Sequence, residues 1–233
     1  MIDKVILKLS GEALMDGKNG ISASVIRRVA VDVRSVIDFG VALAVVVGGG
    51  NFFRGATLSN SGFTRLAGDR LGMIATMLNS IAIRDIFETL GIKTEVMSPL
   101  PIEGIIERYE TQKAIDYLTA GRVVVFAAGT GNPLVTTDTA LCLRGVEIGA
   151  QLLLKATNVD GVYSEDPKKN PSAKLFKHLT YQEALDRKLE VMDDSAFRMG
   201  DENNLKLCIF NIEKKGAILR VIKGEHEGTI IGR

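Results

Sequence analysis

The chain has 233 residues with a formal net charge of +1, and 46% of its residues are hydrophobic while 24% are charged. Because a chain of this length can bury about 70% of its unfolded surface, the composition indicates a globular protein that needs no disulfide or structural metal. The balanced charge and the absence of Trp argue against a nucleic-acid-binding role. No apolar run approaches the ~20 residues that span a bilayer, so we expect no membrane contact and a cytoplasmic location.

Predicted strands and helices alternate along the chain. Short aliphatic or β-branched runs predict strands at residues 5–9, 41–47, 123–126, 152–154, 208–210, 219–222 and 229–231. Apolar residues at helical spacing predict one helix over residues 25–36, which ends at Gly40, and another over residues 71–81, which ends at Gly91. Residues 180–183 fit a capping box that opens a further helix. This alternation predicts an α/β fold, a three-layer αβα sandwich with a mainly parallel central sheet, in a single domain over residues 1–233.

The cysteines and histidines show no pattern of a metal or redox site. Cys142 and Cys208 each lie beside aliphatic residues and form no CxxC pair, which indicates two buried thiols in a reducing compartment. His178 and His226 are isolated and lack the spacing of metal ligands. We therefore expect no zinc site.

Glycine-rich turns follow four of the predicted strands. They contain Gly11, the glycines at 48–50, the segment 129–133 and the segment 157–161. In open α/β sheets, ligands bind beyond the carboxyl ends of the strands, and glycine lets backbone N–H groups approach an anion closely. The turns together predict a polyphosphate site at that edge of the sheet.

The standard nucleotide-binding and hydrolase motifs do not fit this chain. The nearest match to a Walker loop runs from Gly11 to Asn19, with five residues between its glycines instead of four and Asn19 in place of the hydroxyl residue. No G-x-G-x-x-G follows a predicted strand, and no G-x-S-x-G elbow is present. A P-loop, a dinucleotide-binding fold and a serine hydrolase are therefore disfavoured.

Three charged residues near the turns are candidates for phosphoryl-transfer chemistry. Lys8 lies near the end of a buried-looking strand, where a lysine is costly unless an anion meets it, although a strand-end lysine can also reach solvent. Arg54 follows the glycines at 48–50 and could bind a phosphate through two hydrogen bonds, or lie on the surface. Asp138 lies near a helix start, where an aspartate commonly caps the helix but could instead orient a ligand.

Taken in order, five motifs resemble the bacterial uridylate kinases (UMP kinases), a branch of the amino-acid kinase family. They are KLSGEAL at 8–14, GGGNFFRG at 48–55, GDRLGM at 68–73, GTGNPLVTTD at 129–138 and KATNVDGVY at 155–163. The resemblance runs from Lys8 to the C-terminus. It implies an amino-acid kinase-like fold and transfer of the γ-phosphoryl group of ATP to UMP, without a covalent intermediate, in pyrimidine nucleotide synthesis.

The resemblance also implies roles for individual residues. ATP would be held by Lys8, Leu9, Ser10, Gly11, Gly50, Arg54, Thr157, Tyr163 and Asp166. UMP would be held by Gly49, Asp69, Thr130, Gly131, Asn132, Pro133, Leu134, Val135, Thr136 and Thr137. Lys8, Arg54 and Asp138 would be catalytic, with Asp138 orienting Lys8. Residues 1–150 would form an acceptor-binding lobe and residues 151–233 an ATP-binding lobe.

Cofactor, assembly and regulation are further implications of the family. The resemblance implies Mg²⁺ carried by the nucleotide phosphates, a homohexamer, activation by GTP and inhibition by UTP. The loop in which family members sense GTP corresponds to Asp16, Gly17, Lys18, Asn19 and Gly20, and it is about one residue shorter here. Leu134 and Val135 stand where the family pattern has two aromatic residues.

Two alternatives stay open at this point. A kinase of the same fold could phosphorylate a carboxylate, a carbamate or an isoprenoid phosphate, although no charged clamp for an amino acid is evident. A nucleotide-binding protein could also keep this fold without turnover, because function resides in the site and not in the fold.

Overall fold

A computed structural model describes residues 2–17, 20–53, 62–189 and 191–232. Within them, nine strands form one sheet in the order β4-β3-β5-β2-β1-β6-β8-β9-β7. The strands are β1 Lys4–Leu9, β2 Ala42–Val47, β3 Thr94–Ser98, β4 Glu107–Arg108, β5 Val123–Phe126, β6 Leu152–Thr157, β7 His178–Leu179, β8 Leu207–Asn211 and β9 Thr229–Ile231. All the pairings are parallel except that of β8 with β9.

Helices cover both faces of this sheet. In the described residues they are α1 Ala23–Asp38, α2 Arg65–Thr89, α3 Thr111–Thr119, α4 Thr137–Ile148, α5 Tyr181–Asp186, α6 Asp194–Glu202 and α7 Ala217–Ile222. One apolar cluster joins α1, α2 and α7 to one face, and a second joins α3 to α6 to the other. The predicted sandwich with a mainly parallel sheet is confirmed.

The central strands are buried on both faces, which explains their continuous apolar runs. Val5, Leu7 and Leu9 face one apolar cluster, whereas Ile6 faces the other. All four side chains are 0% exposed. Lys8 follows the same alternation as Ile6, so its position in the strand directs a charged side chain towards the face that α4 covers.

Most predicted elements are found, and α1 packs against the core as its periodicity indicates. The capping box at Thr180 and Glu183 is present and opens α5. The strand predicted at 219–222 is wrong, because this segment is the end of helix α7. Ala217, Ile218, Val221 and Ile222 are buried. Their helical spacing packs the apolar side of α7 on the core, and this tertiary packing overrides the β-branched composition.

Helix α2 is present as predicted, but Ile74 and Leu78, two of the apolar residues whose spacing predicts it, do not lie on its buried face. Ile74 and Leu78 are 52% and 45% exposed. Near the turns of the candidate site, the buried side of the helix carries small and polar residues such as Ala75, Thr76 and Asn79, whereas Ile83 and Phe87 bury its C-terminal half in the core. The small and polar residues let the helix approach the backbone turns of the candidate site. No helix in the described residues is long and apolar enough to cross a bilayer.

Candidate active site

The glycine-rich turns meet at the carboxyl edge of the sheet because β5, β2, β1 and β6 are neighbours. The Gly48 N–H donates to the Leu9 carbonyl at 2.8 Å, which joins the turns that follow β1 and β2. A Cβ at Gly11 would lie 2.6 Å from the Gly50 nitrogen, so only glycine fits there. The predicted gathering of these turns is confirmed.

A buried Lys–Asp–Lys cluster lies where these strands end. Lys8 Nζ is 3.3 Å from Asp138 Oδ1, and Lys155 Nζ is 2.6 Å from Asp138 Oδ2. Lys155 also donates to the Val191 carbonyl. The side chain of Lys8 is only 11% exposed, that of Lys155 10% and that of Asp138 14%.

The cluster carries one more positive than negative charge. Asp193 also favours the charged form of Lys155, whereas Lys8 forms within the described residues only the 3.3 Å ion pair with Asp138. An anionic ligand would therefore stabilise Lys8 most. Asp138 Oδ1 has no hydrogen bond within the described part of the chain, although Lys8 lies close to it. The cluster is therefore suited to a phosphate group that approaches from the open side of Lys8.

The charges within the cluster shift the pKa values of its members. Burial by itself raises the pKa of Asp138, but Lys8 and Lys155 hold that pKa below its ordinary value. Burial lowers the pKa of Lys155, and Lys8 lowers it further, while Asp138 opposes the shift. Asp138 is thus held ionised between the two lysines.

Asp138 is not the cap of its helix. Thr136 is the N-cap of α4, and its hydroxyl accepts the N–H groups of Asp138 and Thr139. The capping explanation for Asp138 is therefore wrong. Its carboxylate is free to hold the two lysines because a neighbouring threonine satisfies the helix N-terminus.

A cleft of about 270 Å³ opens beside this cluster. It is lined by Gly49, Gly50, Phe53, Gly68, Asp69, Gly72, Met73, Thr76, Ala128, Gly129, Asn132, Val135, Thr136 and Thr137. We call residues 128–137, which form one wall, the acceptor segment. Gly49 lies against α2, where an added Cβ would be 2.6 Å from the Gly72 carbonyl oxygen.

The residues predicted to bind UMP are thus largely brought together. Thr130, Gly131, Pro133 and Leu134 belong to the acceptor segment without lining the cleft itself. Leu134 is 62% exposed. Asp69 lies on the opposite side, where its carboxylate accepts the Leu134 N–H at 2.9 Å and the Arg65 Nε–H at 3.0 Å. Asp69 therefore both lines the cleft and anchors the segment.

Two further clefts lie along the carboxyl ends of β1 and β6. One, of about 250 Å³, is lined by Lys8, Ser10, Lys155, Thr157 and their neighbours. The other, of about 440 Å³, includes Tyr163 and Asp166. Of the residues predicted to hold ATP, Lys8, Ser10 and Thr157 thus line the first of these clefts, and Tyr163 and Asp166 line the second. Gly50 instead lines the cleft of about 270 Å³, and Gly11 lines none of the three. Leu9 can contribute only its backbone, because its side chain is fully buried in the core.

Of Arg54 and the predicted loop at 16–20, the structure describes only some residues. Arg54, Lys18 and Asn19 lie outside the described residues. Asp16 is exposed, and Gly17 and Gly20 have positive φ angles of 91° and 106°. The Gly20 carbonyl accepts a hydrogen bond from the buried side chain of Asn51 at 2.9 Å.

The structure adds functional candidates that the sequence prediction omitted. Lys155 is the main one, although it interrupts an apolar buried strand as Lys8 does, so the same desolvation reasoning could have found it. Asp193 is another: it accepts hydrogen bonds from the hydroxyls of Thr136 and Thr139, which ties α4 to the start of α6. No local signal marks Asp193, because its partners are more than fifty positions away.

Among the described residues, no group of three or more His, Cys, Asp or Glu side chains could hold a metal ion. Asp138, the carboxylate at the centre of the cluster, is already engaged by two lysines. This cationic set suits a nucleotide that brings its own Mg²⁺ on its phosphates.

Comparison with known proteins agrees with this site. The sequence model of the "Amino acid kinase family" matches residues 3–211. The chain belongs to the amino acid kinase family. Full-length relatives of this family include a uridylate kinase of Coxiella burnetii, 54% identical over 229 residues, which cover 98% of this chain and 94% of the relative. A uridylate kinase of Yersinia enterocolitica is 50% identical over 98% of this chain and 92% of its own length.

Solved structures of the family are also similar. A UMP kinase from Bacillus anthracis superposes with a TM-score of 0.96 at 34% identity, covering 99% of this chain and 96% of the other. A UMP kinase from Ureaplasma parvum gives a TM-score of 0.93 at 30% identity, with both chains fully covered. The predicted resemblance to uridylate kinases and the amino-acid kinase-like fold are confirmed.

Proposed function

We propose that this protein transfers the γ-phosphoryl group of ATP to UMP, giving ADP and UDP, in pyrimidine nucleotide synthesis. The observation that carries the proposal is the buried Lys8–Asp138–Lys155 cluster. Lys8 and Lys155 line one of the two clefts that we assign to ATP, and Asp138 follows Thr137, which lines the cleft of about 270 Å³ that we call the acceptor cleft. The names of the full-length relatives support UMP as the acceptor. Phe53, Met73 and Val135 give the acceptor cleft apolar surface for a base.

The chemistry requires little beyond positioning and charge stabilisation. Phosphoryl transfer passes through a loose transition state, so the protein mainly aligns the two nucleotides and offsets their repulsion. We assign Lys8 and Lys155 to the transferring group and Asp138 to holding both ammonium groups in place. Because the acceptor phosphate is already ionised at neutral pH, in-line transfer needs no general base and no covalent intermediate.

Substrates would bind in two lobes of one domain. Every lining residue of the acceptor cleft lies between positions 49 and 137, whereas those of the cleft at Tyr163 lie between 159 and 191. This supports an acceptor-binding lobe of residues 1–150 and an ATP-binding lobe of residues 151–233, with the cleft at Lys8 and Lys155 lined by residues of both. Mg²⁺ bound to the ATP phosphates would neutralise part of their charge, as in other phosphoryl transfers. The Arg54 role stays a prediction.

We also propose a homohexamer. The exposed apolar stripe on α2 supports a contact with another copy, since large apolar patches on a protein surface mark interaction sites. The stripe consists of Leu66, Ile74 and Leu78, which are 46%, 52% and 45% exposed. Leu100, Ile102 and Ile105 are further exposed apolar residues, in the connection that follows β3.

We also propose regulation by nucleotides and a cytoplasmic location. Activation by GTP through Asp16 to Gly20 and inhibition by UTP rest on the family resemblance. The hydrogen bond from Asn51 to Gly20 supports a physical link between that loop and the turn that follows β2. A cytoplasmic location is supported by two cysteines that are free and buried.

The deciding experiment is ADP formation from ATP and Mg²⁺ with a panel of acceptors. UMP, CMP, dUMP, glutamate, acetylglutamate and a blank without acceptor would be assayed side by side. We expect strong turnover with UMP. Turnover with another acceptor alone would contradict UMP while keeping the ATP site, and calorimetric binding of ATP and UMP without ADP formation would favour a non-catalytic binding protein.

A further inference from the structure

A buried arginine lies beneath the acceptor cleft and takes no part in the catalytic cluster. Arg144, in the last two turns of α4, is only 4% exposed. Its guanidinium stacks 3.8 Å from the centre of the Tyr109 ring and pairs with Glu147. Glu147 also accepts the Tyr109 hydroxyl at 2.6 Å. Glu147 neutralises the guanidinium, so this cluster is not an anion site of its own.

The guanidinium of Arg144 reaches the first turn of the acceptor segment. Its Nη2 group donates to the Gly129 carbonyl at 3.4 Å. Ala128 and Gly129 both have φ of 56°, and this left-handed conformation is unfavourable for Ala128 because it carries a Cβ. Such a turn persists only where its surroundings hold it.

The same turn is held from a second side. The Ala128 N–H donates to the Thr76 hydroxyl of α2 at 2.7 Å. Thr76, Ala128 and Gly129 line the acceptor cleft, whereas Arg144 does not. Arg144 thus contacts a wall of the cleft from behind. It is absent from the linings of the two clefts that we assign to ATP.

We propose that Arg144 is a positioning residue for the acceptor nucleotide, resting on the proposed function. It fixes the Ala128–Gly129 turn in its left-handed form, so that the acceptor segment is already placed before UMP arrives. A packing role alone would need no charge. Burying a cation costs free energy that an apolar side chain of similar volume avoids. The planar fork of arginine can hold a carboxylate and a carbonyl at once while it stacks on a ring, which lysine cannot.

The test compares Arg144→Met, which keeps an unbranched stem, with Arg144→Lys and wild type. The Michaelis constants for UMP and for ATP are measured separately, together with calorimetric binding of UMP alone. We expect Arg144→Met to raise the Michaelis constant for UMP about tenfold and to weaken UMP binding similarly, with the constant for ATP changing less than about twofold. Arg144→Lys should fall between Arg144→Met and wild type.

Tyr109→Phe serves as the matched control, because it keeps the ring on which Arg144 stacks and removes only the hydroxyl. Its Michaelis constant for UMP should stay within about twofold of wild type. A loss in Arg144→Met that affects UMP and ATP equally, or an unchanged affinity for UMP, would overturn the positioning role. Wild type without UMP turnover would instead contradict the proposed function before any variant is compared. If Arg144→Met does not fold, the selective effect must appear in Arg144→Lys.

Discussion

Two buried lysines, Lys8 and Lys155, flank Asp138, and we propose that each ammonium group stabilises charge on the transferring phosphoryl group. We expect Lys8→Ala and Lys155→Ala each to lower kcat about 10²- to 10³-fold, roughly 3–4 kcal/mol, which is typical of losing one preorganised charge stabiliser. Steady-state ADP formation measures this, and circular dichroism should report an unchanged fold.

Lys206→Ala is the matched control for the two lysine variants. Lys206 is exposed and precedes β8, at the opposite edge of the sheet from the site. It should retain wild-type kcat. Near-normal turnover in either cluster variant would remove that lysine from the mechanism.

Asp69 is the carboxylate at the rim of the acceptor cleft. Asp69→Asn keeps an oxygen that can accept the Leu134 N–H, so the acceptor segment should stay anchored while the negative charge is lost. We expect the Michaelis constant for UMP to rise with little change in kcat, as for an interaction made equally in ground and transition states. An unchanged constant for UMP would exclude Asp69 from the acceptor site.

The two thiols should be chemically inert in the folded protein. Burial raises the pKa of Cys142 and of Cys208 from 9.0 to about 12, and both are 0% exposed. This rise in pKa reduces the thiolate fraction at pH 8 by about 10³-fold. The thiols should therefore become reactive only as the pH rises toward 12. Labelling with a chromogenic disulfide should be negligible in the native protein and give two thiols per chain in urea. Rapid native labelling would refute their burial.

At the scale of elements, two helical glycines differ in the space around them. A Cβ at Gly200 of α6 would lie 2.5 Å from the ring of Tyr181, the first residue of α5, whereas one at Gly72 of α2 would meet nothing within 4 Å. We expect Gly200→Ala to lower the free energy of unfolding by about 1–3 kcal/mol through overpacking. Gly72→Ala should raise it by about 0.5–1 kcal/mol, because alanine favours the helix.

Urea unfolding of both variants measures these differences. The pair controls for the substitution itself, since each adds one methyl group to a helix interior. Equal effects would mean that the contact between α5 and α6 is not close at Gly200.

At the scale of the whole molecule, the exposed stripe on α2 is where we expect another copy to bind. One chain has a mass of 25.2 kDa. Light scattering should give six times this mass for the wild-type protein. Ile74→Asp places a charge in the stripe without disturbing the buried side of α2, so it should yield smaller species. Lys223→Asp, on α7's C-terminal cap, is a charge change away from α2 and should leave the mass unchanged. A hexamer that survives Ile74→Asp would place the contact elsewhere.

The sequence by itself determined the fold class, most strands, the gathering of glycine turns and the family. These follow from local information: an apolar run predicts a buried strand, and the carboxyl ends of parallel strands share one edge. The motifs around Lys8, Asp69 and Asp138 carry the resemblance, and the family match confirms it.

The tertiary structure decided what depends on distant partners. The ion pair of Lys155 with Asp138 depends on the placement of β6 beside β1, and the contact of Arg144 with Gly129 depends on the placement of α4 under that turn. The segment at 219–222 is helical because its apolar side packs on the core, and the α2 stripe faces outward because small residues of α2 approach the turns. In each case the chain-local pattern fits two arrangements, and packing of segments far apart in sequence selects one.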